Sequence, residues 1–215
     1  MNGNIILRMR DVAVCLYHAQ KRSIVLSRIQ LQKIIYLQDC INAFLYILPV
    51  DKGHITYYHG PYDKNIQNAA DSLVFYMLAE ADNIRVKDTD ISCEYRLTND
   101  GIRWIDSLIK EDTISNKSFI ITKGLIDSLI TRNLLNRVVD LVYAEPLFVK
   151  NKRNGYWVDL DFSDLDSNDV FSFLTIVLDV YSANKQTTNI DFICDLVIKY
   201  LHERTMALAI SNVEV

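Results

Sequence analysis

The sequence predicts a mainly α-helical fold carrying a small β-hairpin, and three observations predict it. Long stretches repeat apolar residues at helical spacing. Glycine and proline are scarce, with 6 and 3 in 215 residues, which disfavours turn-rich all-β folds. Only short β-branched or aromatic runs interrupt the helices, and two of them lie close enough to pair.

The elements follow in order. Residues 5–20 read as a helix with Leu7, Val12, Leu16 and Ala19 on one face. Ser27 precedes a second helix, where Ile34, Leu37, Ile41, Leu45 and Leu48 step by three and four until Pro49 ends it. The run 54–59 reads as a short strand. Gly60-Pro61 then opens a helix whose stripe is Ile66, Ala69, Ala70, Leu73, Tyr76 and Met77. Residues 83–86 and 93–97 read as a hairpin. Thr98 caps a helix over 99–111. The predicted core of this half is Leu31, Ile34, Ile35, Leu37, Leu73, Met77, Leu97 and Trp104.

Helix, helix, short strand, helix, hairpin, helix is the order of a winged helix. Residues 1–112 are therefore expected to form a winged-helix-like domain, a helical core plus a hairpin wing. Residues 113–215 are expected to be a helical C-terminal extension. There, 113–122 read as a linker and 123–143 as a helix stopped by Pro146. A short hairpin near 147–160 turns at Asn154-Gly155. Helices over 169–183 and 189–209 follow.

The chain is 50% apolar and 23% charged, an ordinary globular composition, with a net charge of −4. Cys15, Cys40, Cys93 and Cys194 lie far apart with no CxxC pair, so they read as reduced core thiols. No secretory leader or 18-residue apolar span is legible, so a cytoplasmic protein without membrane contact is expected.

Three stretches resemble a known family: LQKIIYLQ at 31–38, YYHGPYDKNI at 57–66 and YRLTNDG at 95–101. They carry Leu31, Gln32, Lys33 and Tyr36, then His59, Gly60, Pro61 and Tyr62, then Leu97, Thr98 and Gly101. In this order and spacing they resemble the Panacea (SocA-like) and YwgA-like group of prokaryotic proteins, over about residues 25–110. The middle components of three-component ABC-ATPase defence systems look similar. The resemblance implies a winged-helix-like, non-enzymatic module that acts as an antitoxin or as an accessory subunit in phage-defence or mobile-element operons. Its partner would be a protein encoded nearby: an ATPase, a nuclease or a toxin. The long second half departs from the family pattern.

Charge by segment weighs protein against nucleic acid. Residues 1–33 hold Arg8, Arg10, Lys21, Arg22, Arg28 and Lys33 against Asp11 alone. A weak, salt-sensitive nucleic-acid contact through Arg8, Arg10, Lys21, Arg22 and Arg28 is expected, if any. Residues 62–82 hold Lys64 against Asp63, Asp71, Glu80 and Asp82. A net-negative recognition helix repels phosphates, which favours a protein partner over a DNA-binding transcriptional regulator, the second reading.

Two C-terminal features are candidates for partner contact. Tyr156 and Trp157 sit at a turn tip, where such aromatics anchor interfaces. Asp161, Asp164 and Asp166 belong to an acidic loop suited to a basic surface, and it lacks the glycine and closing glutamate of a calcium loop. No Walker, HExxH, GxSxG or GxGxxG motif occurs. No enzyme activity, metal or cofactor is expected.

Overall fold

The computed structural model describes residues 3–45, 53–87, 90–111, 113–162, 169–183 and 189–211. The chain is mainly helical with one small antiparallel sheet. Helix α1 spans Gly3–Gln20. Strand β1, Leu26–Ser27, leads into α2, Arg28–Phe44. Ser27 and Gln30 form a reciprocal capping box, each side chain bonded to the other's backbone N–H. Helix α3 is Lys64–Phe75, capped by Asp63, whose carboxylate accepts from the Asn65 N–H. Strands β2, Ala79–Lys87, and β3, Asp90–Leu97, make the hairpin, and α4 is Asn99–Glu111. Then come α5 Thr113–Thr131, a 3-10 turn at Leu135–Arg137, α6 Val138–Tyr143, α7 Pro146–Lys152, α8 Asp169–Ala183 and α9 Ile190–Ser211.

The sheet order is β1-β3-β2, all antiparallel. Leu26 lies opposite Tyr95 and Ala79 opposite Leu97. A bulge between Asp82 and Arg85 places Asn83 at φ 52°. One apolar core runs through both halves. It joins Val12, Leu16, Leu31, Ile34 and Leu37 to Ile121, Leu125, Ile126, Leu141, Phe148 and Ile198.

Scarce glycine has a visible consequence. Three turns closing helices put non-glycine residues in the left-handed region: Ser23 after α1, Met77 after α3 and Asn133 after α5. Each closes with a bond back to the last turn, for example Leu78 N–H to Leu73 C=O at 2.9 Å. Met77 is therefore not core. It is 76% exposed, because α3 stops at Phe75 and the helical period no longer governs position 77. The other predicted core residues of this half are buried, except Trp104, which is half-buried against the core.

Four expected elements differ. Residues 54–59 form a loop with isolated bridges, Ile55 to Tyr62 and Ile55 to Asp159; the strand preceding the hairpin is β1. Residues 113–122 are the first half of α5, because Ile121 and Thr122 pack inward. The helix expected over 123–143 breaks at Asn133. Residues 146–152, expected as the first strand of a hairpin, form α7. Pro146 sits in its first turn, where a missing N–H goes unnoticed, and Glu145 caps it.

Candidate functional site

The motif residues explain one another in space. On α2, Leu31 faces the core, and its neighbours Gln32 and Lys33 turn to the loop before α3. Gln32 donates to Asp63 C=O at 2.9 Å and accepts from Asp63 N–H at 3.0 Å. Lys33 Nζ donates to Pro61 C=O at 2.8 Å. It is only 3% exposed, and burial brings its pKa down from 10.5 to about 7. Gly60 lies over it at φ 89°, where a Cβ would stand 3.0 Å from Nζ and 3.2 Å from the Tyr143 ring. Glycine meets both the backbone angle and the space.

One helical turn on, the Tyr36 hydroxyl donates to Glu145 Oε2 at 2.5 Å. Glu145 also accepts from the Leu147 and Phe148 N–H groups at 3.1 and 2.7 Å, so the same carboxylate caps α7. Burial and the Glu145 charge push the Tyr36 hydroxyl pKa up, so it stays a donor. The third motif is a capped close approach. Thr98 Oγ1 accepts from Gly101 N–H at 3.1 Å and donates to Met77 C=O at 2.8 Å. A Cβ on Gly101 would lie 2.0 Å from Leu78 C=O, so no larger residue fits. Leu97 is buried beside it.

Arg8, expected to reach a phosphate, is withdrawn from the surface. It is 8% exposed and sits among three carboxylates. Its guanidinium reaches Asp39 at 2.7 Å, Asp63 at 3.1 Å and Asp11 at 3.3 Å. His54 Nε2 lies 2.8 Å from the same Asp39 oxygen. Burial alone would raise the Asp39 carboxyl, but Arg8 and the His54 hydrogen bond outweigh it and hold it below the ordinary range. At Asp11 burial prevails over Arg8 and the pKa rises. Gln38 extends the network, donating to Asp11 and Ser118 and accepting from Thr122.

The rest of the expected basic stretch lies nearer the surface. Arg22 pairs with Asp127, Arg28 donates to Ile91 C=O at 3.1 Å, and Lys21 sits 4.3 Å over the Tyr17 ring. Arg10 is half-buried. The fold thus withdraws Arg8 and Lys33 from the surface and pairs Arg22 with a carboxylate.

Two candidates 100 residues apart do meet. The loop 57–62 and the segment 155–158 form one aromatic surface. Trp157 stands edge-on to Tyr57 with ring centroids 5.0 Å apart, and Tyr58 and Tyr156 lie 4.4 Å apart. Tyr57 also contacts Tyr62 and His59, and Tyr143 donates to Tyr58 C=O at 3.3 Å. Tyr58 is 56% exposed, Tyr156 43% and Trp157 63%.

Thr56, fully buried, is the clamp. Its N–H donates to Val158 C=O at 2.8 Å and its C=O accepts from Trp157 N–H at 2.7 Å. Its hydroxyl donates to Gly155 C=O and accepts from Val158 N–H, both at 2.9 Å. These bonds hold Trp157 at φ 67°, a left-handed angle that is unusual for a bulky residue. Sequence reasoning missed Thr56, Asp39, Asp63 and Glu145. Asp63 lies inside a motif stretch and Asp39 and Thr56 border one, but Glu145 lies in none and only its place before Pro146 marks it.

Among the acidic candidates, Asp161 is half-buried, and Asp164 and Asp166 lie outside the described residues. No group of histidines, cysteines and carboxylates among the described residues could hold a metal ion. No described helix is long and apolar enough to cross a membrane. The chain matches no protein-family model and no curated protein.

Proposed function

We propose that this chain is a non-catalytic accessory or neutralising subunit that binds a partner protein. The observation that carries the reading is Trp157. A large aromatic is held out to solvent on a left-handed backbone by a fully buried threonine, beside two more exposed tyrosines. Exposed rings that a scaffold pre-orders lose little freedom on docking and make strong anchors.

A winged-helix-like N-terminal half fits this role. The order helix, strand, two helices and hairpin, with sheet order β1-β3-β2, supports that assignment. The exposed face of α3, with Lys64, Asn65, Asp71 and Phe75, carries one cation, which suits a protein surface better than a DNA groove. The Panacea-like motifs support a setting in a bacterial antiphage-defence or toxin–antitoxin system in the cytoplasm, with a neighbouring ATPase, nuclease or toxin as partner.

The test is to purify the tagged chain from its native operon and analyse co-eluting neighbours by size exclusion and mass spectrometry. A neighbour that co-elutes with wild type and is lost from Trp157→Gly supports the reading. Elution alone, with the neighbours expressed and folded, overturns it.

A further inference from the structure

We propose that the aromatic surface accepts an acidic segment of the partner protein, an inference that rests on the partner-binding reading above. The chain as a whole is acidic, with net charge −4, yet residues 146–157, which carry two of the rings of this surface, reverse that sign. Residues 146–157 contain Lys150, Lys152 and Arg153 and no carboxylate, and residues 57–62 contain His59 and no carboxylate. Lys150, Lys152, Arg153 and His59 are all exposed.

Lys152 is tied to the surface through Tyr143. Lys152 Nζ lies 5.4 Å from the Tyr143 ring centroid and 5.8 Å from that of Phe148. Tyr143 in turn bonds the Tyr58 backbone. The turn after α7, with Asn154 N–H on Asn151 C=O at 2.9 Å and Gly155 N–H on Lys152 C=O at 3.1 Å, carries the chain straight from these cations to Tyr156 and Trp157. A ligand seated on Trp157 has Lys152 and Arg153 within five residues along the chain. Carboxylates complementary to such cations steer encounter and fix register.

Cations beside aromatic rings also suit single-stranded nucleic acid, but two features favour a short peptide. Base stacking needs a succession of free ring faces, and here the rings face one another in pairs: Tyr58 packs on Tyr156, and Tyr57 meets the indole. The chain also continues through Asp159 and Asp161, within four residues of Trp157. Of these, Asp159 is exposed, and an exposed carboxylate two residues from the indole disfavours a polyanion there. A peptide can place its acids on the lysine side and an apolar or proline residue on Trp157.

The experiment pans a random 12-residue phage-displayed peptide library on the full-length protein, counter-selected on Trp157→Gly. Glycine suits the left-handed backbone, so this variant keeps the loop while removing the ring, and circular dichroism verifies its fold. The expected result is Trp157-dependent peptides of net negative charge carrying an aromatic or proline. As synthetic peptides they should weaken about tenfold on Lys152→Glu/Arg153→Glu, and weaken visibly between about 50 and 300 mM salt. Neutral or basic peptides, or no Trp157-dependent enrichment, overturn the proposal. Displacement of the peptides by an equal concentration of a twelve-nucleotide oligothymidylate also overturns it, in favour of a nucleic-acid site. The two readings separate on the native partner. If it is lost from Trp157→Gly but retained by Lys152→Glu/Arg153→Glu, partner binding stands and the acidic segment does not. If Trp157→Gly retains it, the partner reading of this surface fails.

Discussion

Residues 1–33 and residues 146–157 both carry an excess of positive charge along the chain, and the fold treats them in opposite ways. In the first stretch Arg8 and Lys33 are buried, and Arg22 is spent on Asp127. In the second, Lys150, Lys152 and Arg153 stay at the surface, a few residues before the exposed Tyr156 and Trp157. Charge counted in sequence is a different quantity from charge presented in space. The periodicity of α1 decides the matter for Arg8, which falls on the same face as Met9, Val12 and Cys15 and so must be neutralised by Asp11, Asp39 and Asp63. The C-terminal cations escape because α7 is one short helix whose last turn leaves the core.

The largest effect belongs to Arg8. Arg8→Ala strands three buried carboxylates and should destabilise the fold by about 3–5 kcal/mol, measured by denaturant titration at neutral pH. Leu37→Ala, a fully buried apolar site on α2, should cost about 2–5 kcal/mol through the cavity it leaves. If Arg8→Ala changes stability by less than about 0.5 kcal/mol while Leu37→Ala falls in its range, the arginine is a surface group after all and the contrast between the two stretches collapses.

How much of this was legible in sequence differs by residue. The α2 stripe and the Ser27 start were readable because periodicity and capping are local signals. The stretches 31–38 and 57–66 were visible as patterns, but their reason is three-dimensional. Gln32 and Lys33 are conspicuous only as letters until they are seen bonding the backbone of residues 61–63. The Thr56 clamp joins residues 99–102 apart in sequence, and no local rule predicts such a contact. Met77 misled because helix endings are usually announced by glycine, and here a methionine takes the left-handed position.

Lys33 sharpens the comparison through pH. Its folded pKa of about 7 lies below the 10.5 of an unfolded lysine, and burial is the cause. Between about pH 7 and 10.5 the unfolded chain therefore binds more protons at this site, so its contribution to stability rises with pH across that window. The slope is at most about 1.4 kcal/mol per pH unit. Lys33→Met keeps the volume and removes the charge, and should flatten that rise while giving up the bond to Pro61. Measured stability of wild type and Lys33→Met at pH 7, 8 and 9 decides it. Parallel curves would mean that Lys33 reaches water, as the surface cations do.

The smallest stability effects should come from the exposed stretch, and that smallness is the prediction. Lys152→Ala and Arg153→Ala remove solvated charges and should each shift stability by no more than about 0.5 kcal/mol. Trp157→Gly is a sharper case because several terms oppose. Relief of the left-handed strain is worth about 1–2 kcal/mol. Against it stand the lost edge contact with Tyr57, about 0.5–1.5 kcal/mol, and the extra freedom of glycine in the unfolded chain, about 0.5–1 kcal/mol. The sum spans about −1.5 to +1 kcal/mol, around zero. A thermal melt that matches wild type to within a few degrees, together with loss of the partner, would mark Trp157 as kept for binding. A loss of more than about 3 kcal/mol would mean that the indole props up the loop 57–62 rather than facing a partner, and residues 146–157 would then join residues 1–33 as a stretch whose striking side chains serve the fold.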